Sequence, residues 1–284
     1  MKLSVIMACY NGAATISAQL EALSQQSLSE PWELIVSDNG SNDASRQIVE
    51  GYADRIPYLR VVDSSDRRGA AHARNVALKV ADSDRFVFCD TDDVVGPGWL
   101  AHLDRSLDRN DFVVSGIEYR TLNKAWQCDL YTTPYDGPQP EMGFLPAAAS
   151  YGFGFTRSLF VKVGEFDESL PRMSDFDYSW RVQLAGYRLH FVREAVVHYR
   201  LRSTLSGLLR QYYVNGQAEV LLYKKYAAYG MPWRKFREAV RGWIDMGFRL
   251  LSFRTRRERM FWLIDAAVFL GRIRGSIRYG VLAL

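Results

Sequence analysis

Cysteine is scarce in this chain: Cys9, Cys89 and Cys128 are the only three among 284 residues. Their spacings match no thiolate metal site and their number is odd, which points to a reducing compartment. Long apolar runs are missing too. The longest, Met260 to Leu270, is interrupted by Asp265 and falls short of the ~20 residues that a membrane-spanning helix needs. The apolar LSVIMA after Met1-Lys2 is too short for a secretory leader and is expected to form a first strand. Four motifs are also absent: GxxxxGK[ST], GxGxxG after the first strand, GxSxG and HExxH. A P-loop, the usual dinucleotide turn, a hydrolase nucleophile elbow and a zinc-protease helix are thereby excluded.

What is present is an ordinary globular composition, 48% hydrophobic and 24% charged, with an uneven charge. Residues 231–284 hold twelve Arg or Lys against four Asp or Glu, and so carry +8 of a total of +4. A mildly acidic body is therefore followed by a basic tail. Apolar β-favouring runs alternate with helical patterns through the first half, as βαβ units around a parallel sheet do. Strands are expected at 3–8, 32–37, 59–62, 85–88 and 112–119, with helices at 14–24, 43–52, 69–80 and 97–107. Residues 132–146 hold four prolines and two glycines and are expected to form an irregular, mobile flap. A helix at 175–184 and two short strands, 187–192 and 195–199, should follow, and helical patterning dominates from 203 on.

The most informative stretch is Arg85 to Trp99, RFVFCDTDDVVGPGW. Asp90, Asp92 and Asp93 fall at the carboxyl end of an apolar strand, the sheet edge where α/β proteins bind ligands. Three crowded carboxylates repel one another unless donors or a cation compensate them. Mg²⁺ or Mn²⁺, a hard ion taking oxygen ligands, would do so. The first and second strands also end in turn-forming residues, Cys9-Tyr10-Asn11-Gly12 and Asp38-Asn39-Gly40-Ser41. In a parallel sheet these ends converge with the acids, where Tyr10 can stack on a base, Asp38 can accept from a base or ribose, and a metal can take a diphosphate.

VIMACYNGAATI, IVSDNGSNDAS, GAAHARNVAL, FVFCDTDDVVGPGWL, GEFDESLPRMSDFDYSWRVQLAGYRL and AVVHYRLR, in that order and at these spacings, resemble the inverting nucleotide-sugar glycosyltransferases of family 2. The resemblance covers about Leu3 to Leu205. It implies a GT-A, Rossmann-like α/β fold with a mostly parallel sheet flanked by helices, and a metal-dependent transfer of a hexose or deoxyhexose from a nucleoside-diphosphate sugar to a hydroxyl acceptor. By the same resemblance Ala8, Tyr10 and Asp38 line the nucleoside pocket, and Arg74 contacts the nucleotide or its diphosphate. Asp90 and Asp92 stand for the DxD motif, with Asp92 or Asp93 as direct metal ligand. Ser174-Asp175 stands where the family carries Glu-Asp, which makes Asp175 the catalytic base.

Inversion requires such a carboxylate, because the attacking hydroxyl must lose its proton in a single displacement. Asp177 and Arg181 match the acid and arginine that follow in the family. His198 lies in the segment whose histidine reaches metal or diphosphate, and is equally readable as structural. Arg200 and Arg202 alternate with Tyr199 and Leu201, so both would face one side of a strand, clamping diphosphate or forming a solvated edge. Phe153 and Trp180, grouped with Asp177 on the acceptor side, offer an apolar platform or core packing.

The chain thus reads as a catalytic domain, 1–204, followed by a basic amphipathic helical region, 205–284. That region either contacts anionic lipid at the inner face of a membrane from the cytoplasm, as a lipid-linked acceptor would favour, or packs on the catalytic domain or on a second copy. The acceptor is a glycan, a lipid-linked saccharide or a small molecule, and nothing resembles a nucleic-acid reading motif. Two competing functions are a nucleotidyltransferase or sugar-nucleotide pyrophosphorylase, and a non-catalytic nucleotide or glycan binder.

Overall fold

A computed structural model describes residues 1–131, 135–232, 236–249 and 253–283. In chain order the elements are β1 (Leu3–Cys9), α1 (Ile16–Ser24), β2 (Trp32–Asp38), α2 (Ser45–Glu50), β3 (Leu59–Asp63), α3 (Ala70–Val80), β4 (Arg85–Asp90), β5 (Val94–Val95) and α4 (Trp99–Leu107). Then come β6 (Phe112–Glu118), α5 (Ala125–Cys128), β7 (Phe153–Thr156), α6 (Arg157–Val163), α7 (Ser174–Leu184), β8 (His190–His198), α8 (Leu205–Tyr226), α9 (Phe236–Arg249) and α10 (Arg256–Tyr279).

The eight strands form one sheet in the order β3-β2-β1-β4-β7-β6-β8-β5. β1 to β4 are mutually parallel, as expected for apolar strands covered on both faces. Leu3, Val5 and Met7 of β1 pack with Ile16, Leu20 and Leu23 of α1 and with Trp99 and Leu103 of α4 on one face. Ile6, Phe86, Phe88, Phe153 and Phe155 pack with Ala77 of α3 and Tyr178 of α7 on the other. The fold is GT-A-like, a mostly parallel sheet flanked by helices.

Three expectations are corrected. The two short strands predicted after α7 are one, β8, paired parallel with β6 through a register shift that leaves residues 193–195 unpaired. β7 was not legible: it runs antiparallel to both β4 and β6, so it lacks the helix-strand alternation that marks a βαβ unit. The predicted flap is pinned over most of its length. Its start, residues 132–134, lies outside the described residues, but Met142, Phe144 and Leu145 pack against Trp180. Trp180 Nε1 also donates to the Leu145 carbonyl at 2.9 Å.

The helical region packs on the sheet domain. Leu222 and Tyr226 of α8 meet Trp180 and Leu170, and Leu208 meets Leu130, Met260 and Ile264. α10 lies along α8 at backbone contact: a Cβ added to Gly216 would sit 2.1 Å from the Val268 carbonyl oxygen, and one added to Gly271 2.1 Å from that of Tyr213. Arg272 and Glu219 close the same crossing with a 2.7 Å ion pair.

Candidate active site

A cleft of about 850 Å³ opens at the carboxyl ends of β1 and β4. Ala8, Tyr10, Arg74, Asp90, Asp92, Asp175 and Arg200 all line it. Parallel pairing brings them there, because Cys9 pairs with Asp38 and Ala8 with Asp90 across adjacent strands.

Ligand oxygens of Asp90, Asp92 and Asp93 lie within 4.8 Å of one another. Asp90 accepts from Arg74 Nη2 at 3.1 Å. Asp92 accepts at its carbonyl from Arg200 Nε at 2.7 Å, and its carboxylate stands 3.4 Å from Arg202 Nη1. Asp93 is 1% exposed; its Oδ1 accepts from the Arg200 backbone N–H at 2.7 Å, while its Oδ2 is buried without a partner. Burial, aided by the charges of Asp92 and Asp90, pushes its carboxyl up to about 9. Burial also raises the Asp90 carboxyl, against the pull of Arg74. An orphaned buried oxygen beside two further carboxylates is a donor set that suits a hard divalent cation.

The loop that carries these acids is tied to α1 and to the residues just after it. Gln19 donates to the Asp90 carbonyl at 3.1 Å and accepts from Val95 N–H at 2.9 Å. Gln26 accepts from Leu100 N–H at 3.1 Å and donates to the Gly96 carbonyl at 3.0 Å. Neither glutamine was predicted. Their signal was a polar side chain at helical spacing on the face of Ile16, Leu20 and Leu23, where burial demands a partner.

Tyr10 is 53% exposed, and the Arg68 guanidinium lies 4.4 Å from its ring centroid. One ring face is thus covered and held in place. Asp38 is buried behind the cleft, not in its wall, and accepts from Ser41 N–H at 3.0 Å. Asp175 sits in the first turn of α7. Its Oδ2 accepts from Ser150 N–H at 3.1 Å and from Ser150 Oγ at 3.3 Å. Ser150, Arg68, Lys124 and Arg172 are site residues that sequence patterning missed, since each comes from a loop with no periodicity.

Other placements differ from expectation. His198 is outside the acidic cluster among the described residues; its Nδ1 pairs with Glu118 at 2.9 Å. Partial burial pushes the Glu118 carboxyl up, but the Thr121 hydroxyl and His198, aided by the Arg120 and Thr121 amides, bring it down to about 2. Arg200 and Arg202 are not on a strand, for β8 ends at His198, yet both reach Asp92 because the chain turns inward after that end. Phe153, Trp180 and Asp177 offer an acceptor no surface: all three are fully buried. Phe153 joins the aromatic cluster under the sheet. From the first turn of α7, Asp177 and Trp180 at i and i+3 point into the body, whereas Asp175 points to the cleft. Asp177 bonds Arg181 Nε at 2.9 Å and the Tyr226 hydroxyl at 2.7 Å, which makes it the anchor of α8.

Comparison with known proteins follows the same lines. The model of the family "Glycosyl transferase family 2" matches residues 4–159. The chain is 28% identical over 212 residues to the uncharacterized glycosyltransferase YwdF of Bacillus subtilis, covering 70% of this chain and 74% of that protein. It is 25% identical over 205 residues to the poly(ribitol-phosphate) beta-N-acetylglucosaminyltransferase TarS of Staphylococcus aureus, spanning 70% of this chain but only 35% of TarS. Among solved structures, the mannosyltransferase PcManGT from Pyrobaculum calidifontis, in complex with GDP-Man and Mn²⁺, superposes with a TM-score of 0.66 at 19% identity, covering 96% of this chain and 86% of that one. TarS 1–349 in complex with UDP superposes with a TM-score of 0.56 at 19% identity, covering 99% and 92%. With the family model spanning more than half of its length over the strands that build the cleft, the chain belongs to glycosyl transferase family 2.

Proposed function

We propose that this glycosyltransferase is metal-dependent and inverting, and moves a hexosyl or deoxyhexosyl group from a nucleoside-diphosphate sugar to an acceptor hydroxyl in glycan, lipid-linked saccharide or natural-product assembly. The observation that carries this reading is the single cleft lined by Asp90 and Asp92 on one strand end and by Asp175 on the facing helix turn. Asp175 is the base: Ser150 holds Oδ2 by two hydrogen bonds, and that carboxylate removes the acceptor proton as its oxygen attacks the anomeric carbon. One displacement inverts that carbon, and no covalent enzyme intermediate forms.

On the donor side, Tyr10 stacks on the base with its far face backed by Arg68, and Ala8 leaves room for the nucleoside. Asp38, set behind the wall, supports the turn rather than touching the nucleotide. Arg74 orients Asp90. Arg200, tied by Nε to the Asp92 carbonyl, aims its terminal nitrogens at the departing diphosphate. Asp90, Asp92 and Asp93 are the residues that would hold Mn²⁺ or Mg²⁺, which supplies positive charge to the leaving diphosphate. His198 supports that loop from outside through Glu118. The Mn²⁺ and nucleotide bound in PcManGT and the UDP bound in TarS support the donor class.

The catalytic unit is proposed to end at about residue 204, where Thr204 caps α8. The outer face of α10 presents Leu270 and Ile277 beside exposed Arg274 and Arg278, and α9 presents Ile244 and Phe248. We assign that basic and apolar face to peripheral contact with an anionic membrane surface. No helix among the described residues is long and apolar enough to cross a membrane.

Thermal stability against UDP, dTDP, GDP, CDP and ATP, each with Mn²⁺ and with EDTA, tests the donor assignment. A shift for one nucleoside diphosphate that EDTA abolishes is expected. Asp175→Asn should bind that diphosphate as the parent does and lose about 10²- to 10⁴-fold in sugar transfer. A variant that transfers sugar at the parent rate would refute the base, and a shift for ATP alone would favour a nucleotidyltransferase.

A further inference from the structure

Among the cations of the cleft, Arg172 stands apart. It lies three residues before Asp175 on the approach to α7, it is partly buried, and it has no hydrogen bond or ion pair among the described residues. Burial, followed by repulsion from Arg202, lowers its pKa against the weaker pull of Tyr199 and Asp175. A desolvated guanidinium with no anion in direct contact is costly unless a ligand supplies one. The acidic cluster on the donor side is tied to Arg74, Arg200 and Arg202, which leaves Arg172 as the cleft arginine with no partner there among the described residues. Arg172 lines the same cleft as Asp175 and feels its charge.

The positive wall also leads somewhere. Lys124 lines both the cleft and an adjoining groove of about 460 Å³. That groove is lined by Arg256 and Arg257 of α10 together with Trp126, Leu130 and Met260, and Asp129 is its one acid among the described residues. Cations beside apolar side chains, continuous with an unpaired arginine in the cleft of Asp175, match an anionic acceptor whose phosphate lies close to the hydroxyl that is glycosylated.

We propose that Arg172 and Lys124 form an acceptor subsite for a phosphate or diphosphate ester, extended by Arg256 and the Trp126 groove. This rests on the glycosyltransferase reading and adds the acceptor's chemical class. The ester comes from a lipid-linked carrier or from a water-soluble phosphate, and both present the same group to the arginines.

The test is equilibrium binding to protein already saturated with Mn²⁺ and the nucleoside diphosphate that stabilises it. The probes are decyl diphosphate, sn-glycerol 3-phosphate and uncharged decyl glucoside. Decyl diphosphate is expected to bind without displacing the nucleotide, and decyl glucoside at least tenfold more weakly. Arg172→Gln and, independently, Arg256→Gln should each weaken the phosphate probe about tenfold, the scale of one lost charge-assisted contact, with nucleotide affinity held within about twofold. Arg172→Lys should recover part of the loss. Preference for decyl diphosphate over glycerol 3-phosphate identifies a lipid source and equal binding a soluble one; either upholds the subsite.

Displacement of nucleotide by the probe, an equal loss of nucleotide affinity in Arg172→Gln, or equal binding of decyl glucoside would overturn it. A parent that binds no nucleotide at all would instead sink the glycosyltransferase reading, and the two failures are told apart by that first titration.

Discussion

Asp93→Asn should change the protein's stability in opposite directions with and without metal. In the folded metal-free protein the Asp93 carboxyl titrates at about 9 because it is buried beside Asp92 and Asp90, whereas an unfolded aspartate titrates near 3.9. A raised folded pKa means that this group's contribution is most favourable below about pH 4 and is lost progressively as pH rises toward 9. At pH 7 the folded state must retain a proton that the unfolded state has released, a cost of at most about 4 kcal/mol at ~1.4 kcal/mol per pH unit. Asparagine removes that titration. Its carbonyl can still accept from the Arg200 N–H, and its amide places a donor where Oδ2 has no partner, facing Asp90 and Asp92.

In EDTA at pH 7 the variant should therefore melt higher than the parent, by about 5 to 10 °C for a gain of 2–3 kcal/mol in a chain of this size. In Mn²⁺ at about 100 times its dissociation constant the parent gains about 2.7 kcal/mol, and the variant gains little. Differential scanning fluorimetry of both proteins from pH 5 to 9, in EDTA and in Mn²⁺, reads this directly. A variant that melts lower than the parent in EDTA, or that keeps the full Mn²⁺ shift, would refute the reasoning.

Gly271→Ala sets helix propensity against sterics: alanine favours a helix interior by about 1 kcal/mol, but its Cβ would lie 2.1 Å from the Tyr213 carbonyl oxygen. The clash should win and lower the melting temperature by several degrees, and an unchanged or higher value would mean that α8 and α10 do not touch there. Glu118→Gln should destabilise at pH 7, with the difference vanishing as pH falls toward 2, because a depressed carboxyl contributes above its unfolded pKa and loses that contribution on acidification; a pH-independent difference in urea midpoint would contradict the pairing with His198. Ile277→Asp combined with Leu270→Asp should abolish co-sedimentation with vesicles containing phosphatidylserine while leaving nucleotide binding intact, and equal sedimentation of the variant would remove that face from any membrane role.

The amino-acid sequence by itself determined the sheet edge and its chemistry. Apolar runs ending in Tyr10, Asp38 and Asp90 could only be parallel strands with polar carboxyl ends, and parallel pairing then places those ends together. That much of the cleft could be assembled from local pattern because Tyr10 directly follows β1 and the three acids end or directly follow β4.

Only the tertiary structure decided which of these residues face the cleft. Asp38 and Asp93 are neighbours in pattern to residues of the wall, yet both turn inward, and burial makes Asp93 an orphaned acid. Asp175 and Asp177 are two residues apart, and helical rotation from the first turn of α7 sends one to the cleft and the other, with Trp180, into the body to anchor α8. Arg172 beside Arg202, and Gly271 against the Tyr213 backbone, join segments 30 and 58 residues apart. No local pattern encodes such pairs, because they exist only once the chain's long-range packing has chosen which loops and helices meet.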